Sequence, residues 1–152
     1  MTVDPYAQWM GESMAREDTD QLLNEAGYGI LSMAADDEPY SIPISFGYDD
    51  GAIYFAFVRD SGENEKFAFL GDGGTARLLV TDIKARFDWQ SVAVTGPVEA
   101  IDLTDEDWPT LVEALSDNPW FSTDFDAEDG DVTGVQGWRL RPESVHGYEI
   151  TP

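Results

Sequence analysis

The chain contains no cysteine, which excludes disulfide cross-links, thiolate nucleophiles and cysteine-ligated zinc or iron–sulfur centres together. It has one histidine, His146, so only carboxylates are left to gather a metal. The acidic runs over 102–107 and 124–131 read as solvated faces, because the second lacks the spacing and terminal glutamate of a calcium loop. No apolar stretch approaches the roughly 18–20 residues of a membrane span. The opening MTVDPYAQWMGESMARED is acidic and lacks the apolar core of a signal peptide, so the expectation is a soluble, cytoplasmic protein. Positive charge is scarcest of all. There are 8 Lys and Arg residues against 31 Asp and Glu, a formal charge of −23, and only Lys66 and Lys84 are lysine. That field repels nucleic acid and anionic membranes, so neither is an expected partner.

What is present is a folded body. The 152 residues are 42% hydrophobic and 12% aromatic, enough for one domain with its own core, so the carboxylates must lie on its surface. Surface acid with scarce lysine is similar to the halophilic proteins of salt-loving microbes. In about 1 M salt the Debye length is only about 3 Å, and self-repulsion of this size becomes tolerable.

Taken in order, residues 1–14 read as a loose arm able to dock Tyr6, Trp9 and Met10 on the body. A helix follows, capped by Asp18 or Thr19, carrying Leu22, Leu23 and Ala26 and stopped by Gly27. Residues 29–35 form the first strand. The run 40–48, the turn Asp49-Asp50-Gly51 and the apolar run 52–58 read as a central hairpin. A short helix over 64–70, strands over 75–83 and 87–101 with a bend at Gly96-Pro97, and a helix over 105–115 come next. That helix carries Trp108, Leu111, Val112 and Leu115 on one stripe. An acidic loop over 116–131 holds Trp120, Phe121 and Phe125, and strands over 133–140 and 144–150 close the chain. Without βαβ spacing or an internal repeat, the pattern predicts a mainly β fold: a single antiparallel barrel of six or seven strands over 1–152, with peripheral helices.

The run P-Y-x-I-P-I-S-F-x-Y-D-D-G-x-I-Y-F, followed by a Gly-bearing loop and a lysine, resembles the pyridoxamine 5'-phosphate oxidase-related FMN-binding split-barrel family, in its flavin reductase and nitroimidazole-resistance-like branch. The likeness extends over about 19–101. It implies a homodimer with FMN in the groove between two copies. Carried onto this chain, the flavin edge lies along Pro43, Ile44, Ser45, Phe55, Ala56 and Phe57, and Lys66 faces the phosphate. Trp89 and Ser91 lie on the strand that carries contacts across the dimer. The chemistry is coherent, because a flat apolar ring needs an apolar wall edged by backbone polar groups, and a phosphate needs a cation and donors.

Relatives often carry a histidine and a small hydroxyl residue in the second strand, then Gly-Arg-Lys. Here Ala56 and Phe57 stand in the strand, and Glu63 and Glu65 flank the lysine, with Arg59 as the reserve cation. No catalytic set stands out, His146 reads as structural, and few basic residues beyond Arg139 and Arg141 are available for a substrate's phosphate. The expectation is therefore an FMN-dependent oxidoreductase or flavin reductase of unknown substrate. A cofactor-free binding or structural dimer, or a relative using deazaflavin F420 or heme, stays open; one histidine gives heme only one obvious ligand. From the charge alone, the thermal midpoint should rise as KCl is raised from about 0.1 M to about 3 M. A midpoint unchanged across that range would mean that self-repulsion is negligible.

Overall fold

Period-two alternation builds most of this chain. In Thr75–Ala85, Ala76, Leu78 and Val80 are buried while Arg77, Leu79 and Thr81 are exposed, as expected of a strand with one face on a core. The computed structural model describes residues 10–58, 73–116, 118 and 135–152. Among them are nine strands and two helices. They run β1 (Glu12–Ser13), α1 (Arg16–Ala26), β2 (Tyr28–Ala35), β3 (Glu38–Ser45), β4 (Gly47–Asp49), β5 (Ala52–Val58), β6 (Thr75–Ala85), β7 (Asp88–Ile101), α2 (Trp108–Ser116), β8 (Val135–Leu140) and β9 (Ser144–Ile150).

The strands form a barrel of two halves that share β7. Its first part pairs with β6 through Pro97 and with β9 through Thr95, and its last part, from Val98, pairs with β8. The full order is β3-β2-β6-β7-β8-β5-β4, with β9 joining β7 and β1 joining β9. All pairings are antiparallel. The predicted bend at Gly96-Pro97 is where β7 passes between the halves. A Cβ on Gly96 would run into the Arg141 carbonyl, so glycine is needed there for close approach of backbone.

The central hairpin requires correction. Residues 40–48 are not one strand facing β5. Instead β3 pairs along its whole length with β2, Pro43 opposite Ile30 and Ser45 opposite Tyr28. Only Gly47–Asp49 pairs with β5. Phe46, 1% exposed, breaks the run by turning into the core. The two-residue turns at Asp36-Asp37 and Asp50-Gly51 have positive φ throughout, 51°, 62°, 47° and 78°, the type I′ geometry that suits hairpin twist. This break and the short β1 account for the extra strands beyond the six or seven expected.

Helix α1 also starts earlier than expected, with Ala15 rather than Asp18 or Thr19 at its N-cap and no side-chain cap. Glu17 and Asp18 in the first turn complement the helix dipole instead, and the Thr19 hydroxyl donates to the Arg16 carbonyl. Gly27 ends the helix at φ 78°, as its stop signal implies. Residues 12–14 are not loose: Glu12 and Ser13 pair with Glu149 and Tyr148, and the Met14 amide donates to Gly147.

Strand β5 is covered on both faces. Ile53, Phe55 and Phe57 enter the barrel core with Leu31, Leu78, Val92 and Trp138. Tyr54, Ala52 and Ala56 pack beneath α2 on Trp108, Leu111 and Leu115. Asn118, 8% exposed, follows α2 and donates to the Gly27 and Phe46 carbonyls at 2.6 and 2.7 Å, tying the second helix to the end of the first. Replacing Asn118 with Ala should cost about 1–3 kcal/mol, since the buried Phe46 carbonyl loses this donor and the Gly27 carbonyl keeps the Phe46 amide. Urea unfolding in high salt measures it, and an unchanged midpoint would show the tie to be dispensable.

Candidate functional site

The outward side chains of β3, β2, β6, β7 and β9 stand in rows across one face of the sheet. One row is Pro43, Ile30, Leu79, Ala93 and His146; the next contains Ser45 and Tyr28, then Thr81, Ser91 and Tyr148. Ile83, Trp89 and Ile150 form a third, and Ser41, Ser32, Arg77, Thr95 and Ser144 bound the rows on the other side. None of these positions is a carboxylate, in a chain where 31 of 152 residues are. Several are large and apolar yet exposed, among them Tyr28, Ile30, Leu79, Ile83 and Tyr148. A neutral, apolar sheet face on such a chain needs a reason, because exposed patches of this kind mark binding surfaces.

Tyr28, Pro43, Ile44 and Ser45 line an apolar recess of about 450 Å³ at one edge of this face. Three of them are residues expected at the flavin edge. Tyr28 was not anticipated; it directly follows the helix stop Gly27, and only its pairing with Ser45 puts it in the recess. Phe55 and Phe57 lie with their rings in the core, in edge-to-face contact at 5.6 Å, and Ala56 packs against α2. Any part they take toward a ligand is therefore played by backbone. Lys66 and Arg59 lie outside the described residues, as do the helix over 64–70, Trp120, Phe121 and Phe125.

Trp89 and Ser91 share the face but not the recess. Ser91 is separated from Ser45 by β2 and β6, about 14 Å at ordinary strand spacing. The Trp89 ring meets its own chain, for a Cβ at Gly11 would lie 2.9 Å from its Cη2. Trp138 is 5% exposed in the core, and its buried indole Nε1 has no hydrogen-bond partner among the described residues. His146 is exposed at the far end of the apolar row.

The basic pair near the C-terminal end is engaged elsewhere. Arg139 holds Glu99 at 2.6 Å and Asp107 at 3.0 Å, and Arg141 holds Glu99 at 3.0 Å. The Arg139 hydrogen bond keeps the Glu99 carboxyl below its usual range. Burial would lower the Arg139 pKa, but Glu99, Tyr54 and Asp107 outweigh it and raise it. Both arginines already hold a carboxylate, and Arg139 is largely buried.

A second hollow, about 320 Å³, lies between α1 and the β9 end of the barrel, lined by Arg16, Asp20, Tyr48, Glu143 and Ser144 among others. An adjoining one adds Asp49 and Asp50. Such carboxylate-rich walls repel an anionic ligand, so the neutral face is the better site for one. Among the described residues no cluster of potential metal ligands occurs, and no helix is long and apolar enough to cross a membrane.

The fold is that of a split-barrel protein with one largely apolar sheet face. The chain belongs to the pyridoxamine 5'-phosphate oxidase family, whose sequence profile matches residues 15–149. An FAD-binding protein from Mesorhizobium loti is similar in structure at 22% identity, over 90% of this chain and 95% of that one, with a TM-score of 0.71. A 5-nitroimidazole antibiotic resistance protein from Bacteroides thetaiotaomicron is 16% identical over 90% and 85% (TM-score 0.70). The heme storage protein of Vibrio cholerae is 10% identical over 90% and 96% (TM-score 0.70). Identities this low establish the shared fold. No curated protein matches the sequence.

Within the second hollow, burial and the 2.7 Å hydrogen bond to Asp20 push the Tyr48 phenol up to about 12. The proton is held more tightly in the folded chain, so this stabilisation is complete below the ordinary value of 10 and is lost as pH rises from 10 to about 12. Tyr48→Phe should flatten the fall in stability across that window, read from urea midpoints. Equal slopes in the two proteins would rule out the linkage.

Proposed function

We propose that the chain is an FMN-dependent oxidoreductase of the cytoplasm that works as a homodimer, with the flavin in the groove formed where two neutral sheet faces meet. The observation that carries this reading is the acid-free face with its recess at Tyr28, Pro43, Ile44 and Ser45. A ring system can rest there on side chains that present no carboxylate to its π-face, and a second copy covering the exposed Ile30, Leu79 and Tyr148 excludes water from it. Two chains of charge −23 can approach closely only where neither carries acid, and this face is such a place. When bound, the flavin itself supplies the electron or hydride transfer. The protein residues bind and orient it.

A second reading has one observation in its favour. His146 ends the apolar row that begins at Pro43, so an imidazole stands beside a surface flat enough for a porphyrin, and one structural relative is a heme storage protein. The visible spectrum of protein purified in about 3 M KCl separates the two. Bands near about 370 and 450 nm, released as FMN on denaturation, are expected of the flavoprotein. A Soret band lost in His146→Ala would replace it with the heme reading, and a colourless protein unchanged by added FMN would leave a cofactor-free dimer. Leu79→Asp, which places a carboxylate in the middle of the face, should yield a folded monomer by sedimentation and weaken FMN at least about tenfold.

A further inference from the structure

Arginine is rare here, and most of the described cations are neutralised at once by neighbouring acids. Arg16 meets Asp20, Lys84 meets Asp82, and Arg139 and Arg141 share Glu99. Arg77 differs. It is exposed on the central strand of the neutral face, in the row that bounds it, and makes no ion pair with any described carboxylate, although acids outnumber bases 31 to 8. Arg86, the other described cation without such a pair, sits on the turn after β6 and not on the sheet face. The flanking residues of Arg77 are hydroxyls: the register sets Ser32 opposite it on β2 and Thr95 opposite it on β7. Ser32 is in turn held by Ser41 through a 2.9 Å hydroxyl contact.

We propose that Arg77, with Ser32 and Thr95 on either side, is an anion-binding end of the ligand groove, taking a phosphate or carboxylate group whose carrier rests on the adjoining Ile30, Pro43 and Leu79. This rests on the reading that the neutral face holds a ligand. The guanidinium offers a planar fork matched to two oxygens of such a group. Hydroxyls one strand spacing away, about 4.8 Å, can donate to a third. The apolar row lies two residues along the strand, about 7 Å from the Arg77 row, so ring and anion would occupy adjacent rows of one ligand.

The net charge decides why one arginine can serve. In dilute buffer the field of the whole chain drives anions away, and only a site free of local carboxylate can hold one. In molar salt the screening length falls to about 3 Å, long-range attraction is lost, and direct fork-and-hydroxyl contacts are what remain. Arg77 is the described cation that satisfies both conditions. The anion can belong to the flavin, as its phosphate, or to a separate reactant.

The test combines two titrations in about 3 M KCl, with circular dichroism checking that exposed Arg77→Gln leaves the fold intact. Inorganic phosphate is titrated into protein labelled with ¹⁵N at arginine, the Arg77 Nε–H signal being the one missing from Arg77→Gln. FMN and riboflavin are titrated separately, reading quenching of flavin fluorescence. We expect phosphate to shift the Arg77 signal in a saturable way. If the anion is the flavin's own, Arg77→Gln lowers the preference for FMN over riboflavin by about tenfold, as loss of a charged hydrogen bond should. An unchanged preference alongside the phosphate shift assigns the anion to a separate reactant. Should neither flavin bind while phosphate still shifts Arg77, the flavin reading fails and the anion site stands. An Arg77 signal indifferent to phosphate, with a flavin preference that survives Arg77→Gln, overturns the proposal.

Discussion

A carboxylate cannot be pressed against an apolar surface without a cation to meet it, and this chain has too few cations for its acids. That constraint organises the molecule. Many acids stand at turns, such as Asp36, Asp37, Asp50, Asp105 and Glu106, or on a helix, such as Glu17 and Asp18, while strand parity keeps the outward rows of β2, β3, β6, β7 and β9 free of them. Among the described residues the outcome is a highly charged body with a neutral side, so a partner repelled by negative charge is directed to that side.

The rest of the fold supports the face. Strand β7 belongs to both halves of the barrel, and the close approach of the Arg141 carbonyl to Gly96 fixes where it crosses. Arg139, 12% exposed in its side chain, is clamped between Glu99 on β7 and Asp107 just before α2, so the helix is keyed to the sheet that it covers. That network uses cations that family resemblance would otherwise offer to a phosphorylated substrate. Belonging to the pyridoxamine 5'-phosphate oxidase family thus does not carry that enzyme's substrate chemistry onto these arginines.

Much of this was legible in the sequence, and the failures have local causes. The strands over 75–83 and 144–150 announced themselves because alternation or β-branched content is a property of a few consecutive residues. The pairing of 40–48 was not, because the alternation Tyr40, Ile42, Ile44, Phe46, Tyr48 runs on through the break at Phe46, and nothing local says that Glu38–Ser45 seeks β2 and not β5. Thr19 looked like a cap, yet its hydroxyl satisfies a carbonyl within the helix, and Ala15 caps with no side-chain help. Pro43, Ile44 and Ser45 were singled out by their motif, and the fold brings them together in one recess. Tyr28 and Arg77 carry no motif, and acquire meaning only when the register sets Ser45 beside one and Ser32 and Thr95 beside the other.

On the proposed function, the acid-free side of the sheet receives FMN and a second copy. Hydroxyl-radical footprinting in high salt, with and without FMN, reads this side chain by side chain. Protection of Tyr28, Ile30, Leu79 and Tyr148 on adding FMN, with Tyr48 and Met14 in the hollow beside α1 unchanged, is the predicted result. Protection confined to that hollow, with the neutral rows as reactive as before, would contradict the account.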